Sequence, residues 1–546
     1  MLTLVWIGHE EGHLLHPRAA KERPGGAALA PSSIFFSKHN LSQLTALHCL
    51  IQVHLSLTGD PTEMRVQWSA STTGCPIDIA YGTAGGGGGG GPGGLHSDGI
   101  ARGQPAGTYG AGDMCASPAN AAGGPIAPHF YEAILTGLAP GRQHEYRFVS
   151  RGGPDGPPTL VARRPPLPSS TLFRAAPVKG PAAGAALLAF GDMGTASHPG
   201  GKCPGAAATA AAVADAVAKG RATAVLHLGD VAYADGTPGA WDAFMDLVEP
   251  AAASAPWLVA AGNHDVGWMK AAAAVGGSES GRKGAAGRGR SSPQPPPPSD
   301  PTGATSPYSP SWGNYGNDSG GECGVPLAAR FRGAGPSPGG GGEPPFWYAG
   351  THGPIHFVII STEHDLSPRS KQAAWIKAAL AAVDRCVTPW LVVAGHRPLY
   401  VPFPHKSNRE VGDHLRGFLE PLLEAAGVDV YVSGHVHAYA RTCNVWRDGQ
   451  CVARSVGGTT HVLAGTGGRK LSDIAGDQSA WLEAAAELWG FVRLDAAGGD
   501  ALRLQFVASE DGQVVDEVEL RGADRGELLC RAGRAAAAAR AGLAVA

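Results

Sequence analysis

Ala224-Val225-Leu226-His227-Leu228-Gly229-Asp230-Val231-Ala232-Tyr233 decides how this chain folds. The first five residues form an apolar run of strand length, and Gly229 releases the chain into a loop carrying a carboxylate and a phenol. The same strand-then-polar-tip pattern recurs at Asp192 after Leu187-Leu188-Ala189-Phe190 and at Asn263-His264-Asp265 after Trp257-Leu258-Val259-Ala260-Ala261. It recurs again at His396 after Leu391-Val392-Val393-Ala394, and at His435 and His437 after Val428-Asp429-Val430-Tyr431-Val432. A core fixes the backbone at a strand end while the side chain there reaches into a cleft. Tips made only of Asp, Asn, His and Tyr have the composition of a metal-ligand shell. His227 lies inside its apolar run and reads instead as a hydrogen-bonded core histidine.

The chain of 546 residues has room for two or three domains. A formal net charge of −3 gives no case for nucleic acid or acidic membrane as a partner. Nine Cys are too few for a disulfide scaffold, and the odd number leaves at least one thiol without a partner in the chain. Cys443 and Cys451 are close enough in sequence to close a small loop, and they are the expected pair. No run of 18 apolar residues exists, so no transmembrane helix is expected. The start, Met1-Leu2-Thr3-Leu4-Val5-Trp6-Ile7, is apolar but short, lacks a basic lead and meets Glu10 and Glu11 at once. It is not a convincing signal peptide.

Outward from the central stretch, the periodicity changes along the chain. Residues 1–48 have no period and stay unassigned. From residue 49 to 165 short alternating strands predominate, such as Met64-Arg65-Val66-Gln67-Trp68 and Glu145-Tyr146-Arg147-Phe148-Val149, separated by turn signals. This is the pattern of an antiparallel sandwich. Seven consecutive Gly at 85–91 read as a surface loop, and the Pro-rich stretch 154–181 as a linker. From 184 to 475 strands alternate with helical stretches, the sign of an α/β layer fold. Ala206 to Lys219, Arg369 to Val383 and His414 to Ala426 are expected helices, and Trp241 to Val248 begins another. Residues 271–317, rich in Gly, Ser, Arg and Pro, read as a disordered insertion. Residues 476–525 contain a hairpin around Asp511-Gly512 that completes the α/β domain, and 526–546 form an Ala/Arg tail.

The ordered set Gly-Asp, Gly-Asp-x-x-Tyr, Gly-Asn-His-Asp, Gly-His and Gly-His-x-His resembles the purple acid phosphatases, within them the larger plant and algal type. The likeness extends over about residues 50–520. It takes in Gly112-Asp113-Met114-Cys115, Asp318-Ser319-Gly320-Gly321-Glu322-Cys323-Gly324-Val325, Ser361-Thr362-Glu363-His364-Asp365 and Ala440-Arg441-Thr442-Cys443. The resemblance implies an α/β metallophosphoesterase domain, two mixed β-sheets sandwiched by helices, preceded by an all-β fibronectin III-like sandwich. It also implies a ferric site held by Asp192, Asp230, Tyr233 and His437. A divalent site for Zn, Fe or Mn would use Asp230, Asn263, His396 and His435, with Asp230 bridging. Hard Fe(III) suits carboxylate and phenolate, while imidazole and amide oxygen suit the divalent ion. Related diesterases and protein phosphatases carry Asp-x-His in the first motif and no tyrosine. Here Asp192-Met193-Gly194 lacks that His, and Tyr233 stands in for it.

His264 resembles the family histidine that orients substrate or protonates the leaving alkoxide, and His405 one of a pair near the phosphate, its second place taken here by Lys406. Asp265 stands where the family often has Glu, and His144 where it often has Tyr. The activity implied is hydrolysis of small-molecule phosphate monoesters by a metal-bound hydroxide at acidic pH. A phosphodiesterase or nucleotide pyrophosphatase on the same scaffold is the alternative, and a non-catalytic binding protein the third reading. The family also implies a secreted or vacuolar, glycosylated protein and allows a homodimer.

Overall fold

The computed structural model describes residues 50–530 except 72–75, 85–97, 122–127, 152–160, 162–169, 198–199, 268–317, 333–341, 403–405, 475–478 and 523–528. Eight strands come first: β1 Ile51–Ser56, β2 Met64–Ala70, β3 Ile77–Thr83, β4 Gly99–Arg102, β5 Gln104–Gly107, β6 His129–Leu135, β7 Gln143–Ser150 and β8 Thr171–Arg174. They make two antiparallel four-stranded sheets, ordered β1-β2-β6-β5 and β4-β3-β7-β8. The period-2 pattern explains the filling. Met64, Val66 and Trp68 of β2 are buried, and Trp68 stacks on Tyr131 of its own sheet while meeting Phe148 of the other edge-on at 5.5 Å. The sandwich therefore runs on to Arg174. The sequence boundary at 165 and the linker at 154–181 were too early, because Thr171–Arg174 pairs with β7. A short alternating strand behind a Pro-rich stretch is too brief to show a period.

The second layer system contains β9 Ala185–Phe190, α1 Ala206–Ala218, β10 Ala224–His227, α2 Pro238–Ala252, β11 Trp257–Val259, α3 Asn263–Val266 and α4 Val325–Arg330. It continues with β12 Tyr348–His352, β13 Ile355–Ile359, α5 Lys371–Ala381, β14 Trp390–Ala394, α6 Lys406–Ala426 and β15 Val430–Ser433. It closes with β16 Tyr439–Trp446, β17 Gln450–Cys451, β18 Thr459–Ala464, β19 Leu482–Ala486, β20 Gly490–Ala496, β21 Ala501–Ala508 and β22 Val514–Arg521. One mixed sheet is ordered β11-β10-β9-β20-β21-β22; the other is β12-β13-β14-β15-β18-β16-β17, with β19 added on β16. All six residues of β9 and all five of β14 are buried, as befits strands covered on both faces. Helices form where expected, with Ser370 capping α5 through the Ala373 N–H and Pro238 opening α2. The hairpin expected around Asp511-Gly512 is β21–β22. Helix α6 starts eight residues before the expected His414. Among the described residues no helix is long and apolar enough to cross a membrane.

His227 is a core residue as expected, packed among Phe190, Phe244 and Trp257, but neither of its ring nitrogens has a hydrogen-bond partner. Burial accordingly pushes it down to about 3, so it stays neutral. Cys443–Cys451 is a disulfide, as expected; Cys115–Cys323 and Cys386–Cys530 were not foreseen. The expected insertion at 271–317 lies outside the described residues, as do residues 1–49 and all of 526–546 but Glu527–Cys530's described end, Leu529 and Cys530.

The two layer systems share a built interface. Arg330 of α4 is buried and donates to Asp242 of α2 at 2.7 Å, to Gln52 of β1 and to Tyr109, both at 3.2 Å. Beside it, sandwich residues 115–119 lie on the catalytic loops: the Cys115 N–H donates to the Gly321 carbonyl at 2.9 Å, the Ala119 N–H to Gly320 at 3.1 Å. A Cβ on Gly236 would stand 2.7 Å from Pro118, and one on Gly321 2.3 Å from the Ala116 oxygen. The Cys115–Cys323 bond clamps this contact.

Glu322, in the same loop, is buried and accepts from the Trp241 indole at 2.9 Å. Burial, only partly offset by that bond, pushes its carboxyl from 4.5 up to about 8. A raised folded value means that its stabilisation is complete below about pH 4.5 and is lost as pH rises toward 8. Glu322→Gln keeps the acceptor without the charge. Its melting temperature should match that of the parent near pH 4.5 and exceed it by several degrees near pH 8; parallel profiles would refute this.

Candidate metal centre

The seven ligand positions expected from the sequence come from both sheets, at the loops after β9, β10, β11, β14 and β15. Four of them, Asp192 (φ 62°), Asp230 (φ 51°), Tyr233 (φ 49°) and His435 (φ 72°), adopt left-handed backbone, as does Asp235 (φ 49°). Each such non-glycine residue costs about 1 kcal/mol or more and persists only where its surroundings over-determine it. The sharp turn folds each side chain back over its strand end. Glycines make room: a Cβ on Gly434 would sit 2.5 Å from Asp192 Oδ2, and one on Gly262 2.2 Å from Asp230 Oδ1.

The donors gather in two groups. Tyr233 OH lies 3.1 Å from Asp192 Oδ1 and 3.1 Å from His437 Nε2. In the other, His396 Nε2 lies 3.1 Å from Asn263 Oδ1, 3.2 Å from His435 Nδ1 and 3.4 Å from Asp230 Oδ1. The ligand atoms of Asp230, His396 and His435 all fall within 4.8 Å of one another. Backbone carbonyls set the two tautomers. His396 Nδ1 donates to the Leu228 carbonyl at 2.8 Å and His437 Nδ1 to that of Lys470 at 3.0 Å, so both Nε2 lone pairs face inward. Lone pairs of nitrogen and oxygen thus converge in each group, with the Tyr233 hydroxyl lying between Asp192 and His437.

Electrostatics favours positive charge at the same place. Burial would lower His396, yet the Asp230 charge raises it to about 10. Burial holds the Asp192 carboxyl above and the His435 imidazole well below their ordinary values. The pocket draws positive charge to Asp230 and keeps other groups neutral until a counter-charge arrives. Carboxylate, phenol, amide oxygen and imidazole fit a pair of metal ions, one harder than the other.

His264 lies beside this cluster, its ring 4.6 Å from that of Tyr233. Its Nδ1 is 2.8 Å from Asp235 Oδ1 and its backbone N–H donates to Asp230 Oδ1 at 2.8 Å. Burial would lower it, but Asp230 and Asp235 raise it to about 9. His405, the other expected catalytic residue, lies outside the described residues. Sequence reasoning missed several supporting groups. Asp318 accepts from Asn263 Nδ2 at 2.9 Å, which turns the amide oxygen toward His396. Arg397 is forked onto Glu363 and approaches His435 Nε2 at 3.0 Å, with Asn408 Oδ1 at 3.1 Å from the same nitrogen. Asp318 and Glu363 sit in stretches that carry the family resemblance. Asp235 and Arg469, the latter with its guanidinium 4.4 Å from the Tyr233 ring centroid, have no signal of their own.

Residues 186–439 match the Calcineurin-like phosphoesterase family and residues 458–517 the Iron/zinc purple acid phosphatase-like protein C family, together more than half of the chain. An Arabidopsis thaliana protein named "Probable inactive purple acid phosphatase 27" is 28% identical over 452 residues, 79% of this chain and 64% of its own length. The chain thus spans a little under two thirds of that relative. A Hordeum vulgare nucleotide pyrophosphatase/phosphodiesterase is 29% identical over 66% of this chain and 89% of its own. Among solved structures, a purple acid phosphatase from yellow lupin seeds aligns with a TM-score of 0.67 at 25% identity, over 87% of this chain and 74% of that one. With its two layer systems, its clustered donors and these matches, the chain belongs to the purple acid phosphatase family of metallophosphoesterases, whose centre is binuclear and contains iron.

Proposed function

We propose that the protein hydrolyses small-molecule phosphate monoesters at an Fe(III)–M(II) pair, where M is Zn, Fe or Mn. Asp192, Asp230, Tyr233 and His437 would hold the ferric ion; Asp230, Asn263, His396 and His435 would hold the divalent one. The observation that carries this reading is the inward lone pairs of His396 and His437, fixed by the Leu228 and Lys470 carbonyls. When bound, the metal pair supplies Lewis acidity, acidifying water and neutralising phosphate charge. The side chains do the rest. Asp235 holds His264 through Nδ1, which leaves Nε2 to carry a proton toward the leaving alkoxide. A value of about 9 keeps that proton in place at acidic pH. Asp318 and Arg397 orient Asn263 and His435, and His405 is kept as the second histidine of the step.

The test is the visible spectrum and metal content of the purified protein, with turnover of p-nitrophenyl phosphate against bis(p-nitrophenyl) phosphate at acidic pH. A purple or pink protein with iron, faster on the monoester, is expected. Tyr233→Phe should lose the colour while keeping part of the activity; colour that survives it would remove Tyr233 from the ligand set.

The barley relative's name supports a second reading, hydrolysis of phosphodiesters or nucleotide pyrophosphates. Faster turnover of the diester would favour it. Three disulfides fit an oxidising compartment and so a secreted or vacuolar protein.

A further inference from the structure

Strand β18 ends at Ala464, and Gly465-Thr466-Gly467-Gly468 then carries the chain across the loop that holds Asp192. A Cβ on Gly467 would lie 2.5 Å from the Gly191 carbonyl oxygen, and one on Gly468 2.3 Å from that of Met193. Only glycine lets the two loops lie this close. The next residue, Arg469, is pinned on both sides of its backbone. Its N–H donates to the Asp192 carbonyl at 2.8 Å, and its own carbonyl accepts from the Trp489 indole at 2.9 Å.

So held, the guanidinium carbon stands 4.4 Å from the centroid of the Tyr233 ring. Its Nη1 is buried and has no nitrogen or oxygen partner. Among the described residues Arg469 forms no ion pair with a carboxylate. The nearby Cys203 is a buried free thiol, which burial keeps protonated, so it supplies no counter-charge. The Arg469 side chain hydrogen-bonds to that neutral thiol and lies over the electron-rich ring of Tyr233.

We propose that Arg469 is a positioning residue for Tyr233 that tunes the electrons of its phenolate by lying over the ring. The inference rests on the reading of Tyr233 as a ligand of ferric iron. A positive charge over the face of an aromatic anion stabilises its π electrons. Transfer of charge from that phenolate to Fe(III) then takes more energy, and the visible band lies at shorter wavelength than it would without Arg469. The same charge makes the iron easier to reduce.

The experiment compares visible spectra of the iron-loaded parent, Arg469→Met and Arg469→Lys at equal iron content. Arg469→Met should move the band to longer wavelength by on the order of 10 nm, the scale of a desolvated cation over an aromatic ring. Arg469→Lys, which keeps the charge, should fall between the two. An unmoved band in Arg469→Met overturns the proposal, as does a lysine variant displaced as far as the methionine one, because packing alone would then account for the shift. If Arg469→Met does not fold, Arg469→Gln takes its place, since it removes the charge and keeps hydrogen-bond donors. A colourless parent protein would instead overturn the phenolate reading itself.

Discussion

Asp230→Ala is expected to leave a folded protein that retains neither metal and has lost at least about 10³-fold in kcat/KM, the worth of several kcal/mol of Lewis-acid stabilisation. Among the described residues no other carboxylate oxygen approaches the inward nitrogen of His396 as Asp230 Oδ1 does, at 3.4 Å, and the same oxygen receives the His264 N–H at 2.8 Å. One substitution therefore takes away the proposed bridge, the charge that holds His396 up near 10, and an anchor of His264. Metal analysis, circular dichroism and p-nitrophenyl phosphate turnover on one preparation would check it. A folded variant with normal iron and undiminished turnover would be incompatible with the assigned centre.

Asp265→Ala should cost stability as heavily as Asp230→Ala costs activity. The Asp265 carboxylate is fully buried, and its hydrogen bonds among the described residues go to backbone N–H groups. It accepts the Gly262 N–H at 2.8 Å, the Asp230 N–H at 2.9 Å and the Val231 N–H at 3.0 Å. It thereby ties the loop after β11 to the loop after β10. Alanine would strand three buried donors, each worth about 1–3 kcal/mol, and about 3–5 kcal/mol in sum is a fair expectation after relaxation. At roughly 2–4 °C per kcal/mol the melting temperature should fall by about 10 °C. Iron retention should weaken too, because Asp230 and Asn263 flank the broken tie. A drop of only a degree or two would show that the loops hold without it.

How far the sequence could be read depended on the range of the interactions. Strands such as Ala185–Phe190 and Trp390–Ala394 show themselves as unbroken apolar runs, and the second residue after each run, past one glycine, is the one that reaches the cleft. That local grammar makes the polar strand-end tips visible before any geometry, while the choice of seven of them as ligands is what the family resemblance implies. Thr171–Arg174 was not visible, since a four-residue strand carries too little pattern. The supporting groups were hidden for another reason. Asp318 meets Asn263 across 55 residues and Glu363 meets Arg397 across 34, and nothing in the neighbourhood of either partner announces the pairing. Arg469 was passed over because an arginine following glycines looks like a solvated turn. Only the close packing of Gly467 and Gly468 on the Asp192 loop turns it toward Tyr233.

The clamp between residues 115–119 and the catalytic loops also sets a timetable. Cys115 and Cys323 are 208 residues apart, so roughly 10–40 s of synthesis separate them at ordinary ribosome speed. The sandwich strands are complete by Arg174, yet the surface meant for Gly320 and Gly321 has no partner until those residues are made. Cys203 is made inside that interval and offers a wrong partner. Its safety lies in burial. Gly194 leaves room for its sulfur, since a Cβ there would stand only 2.4 Å away, and the packed β9 and α1 segments cover the thiol. A glycine in a metal-site loop thus doubles as a guard against mispairing in a chain still being made.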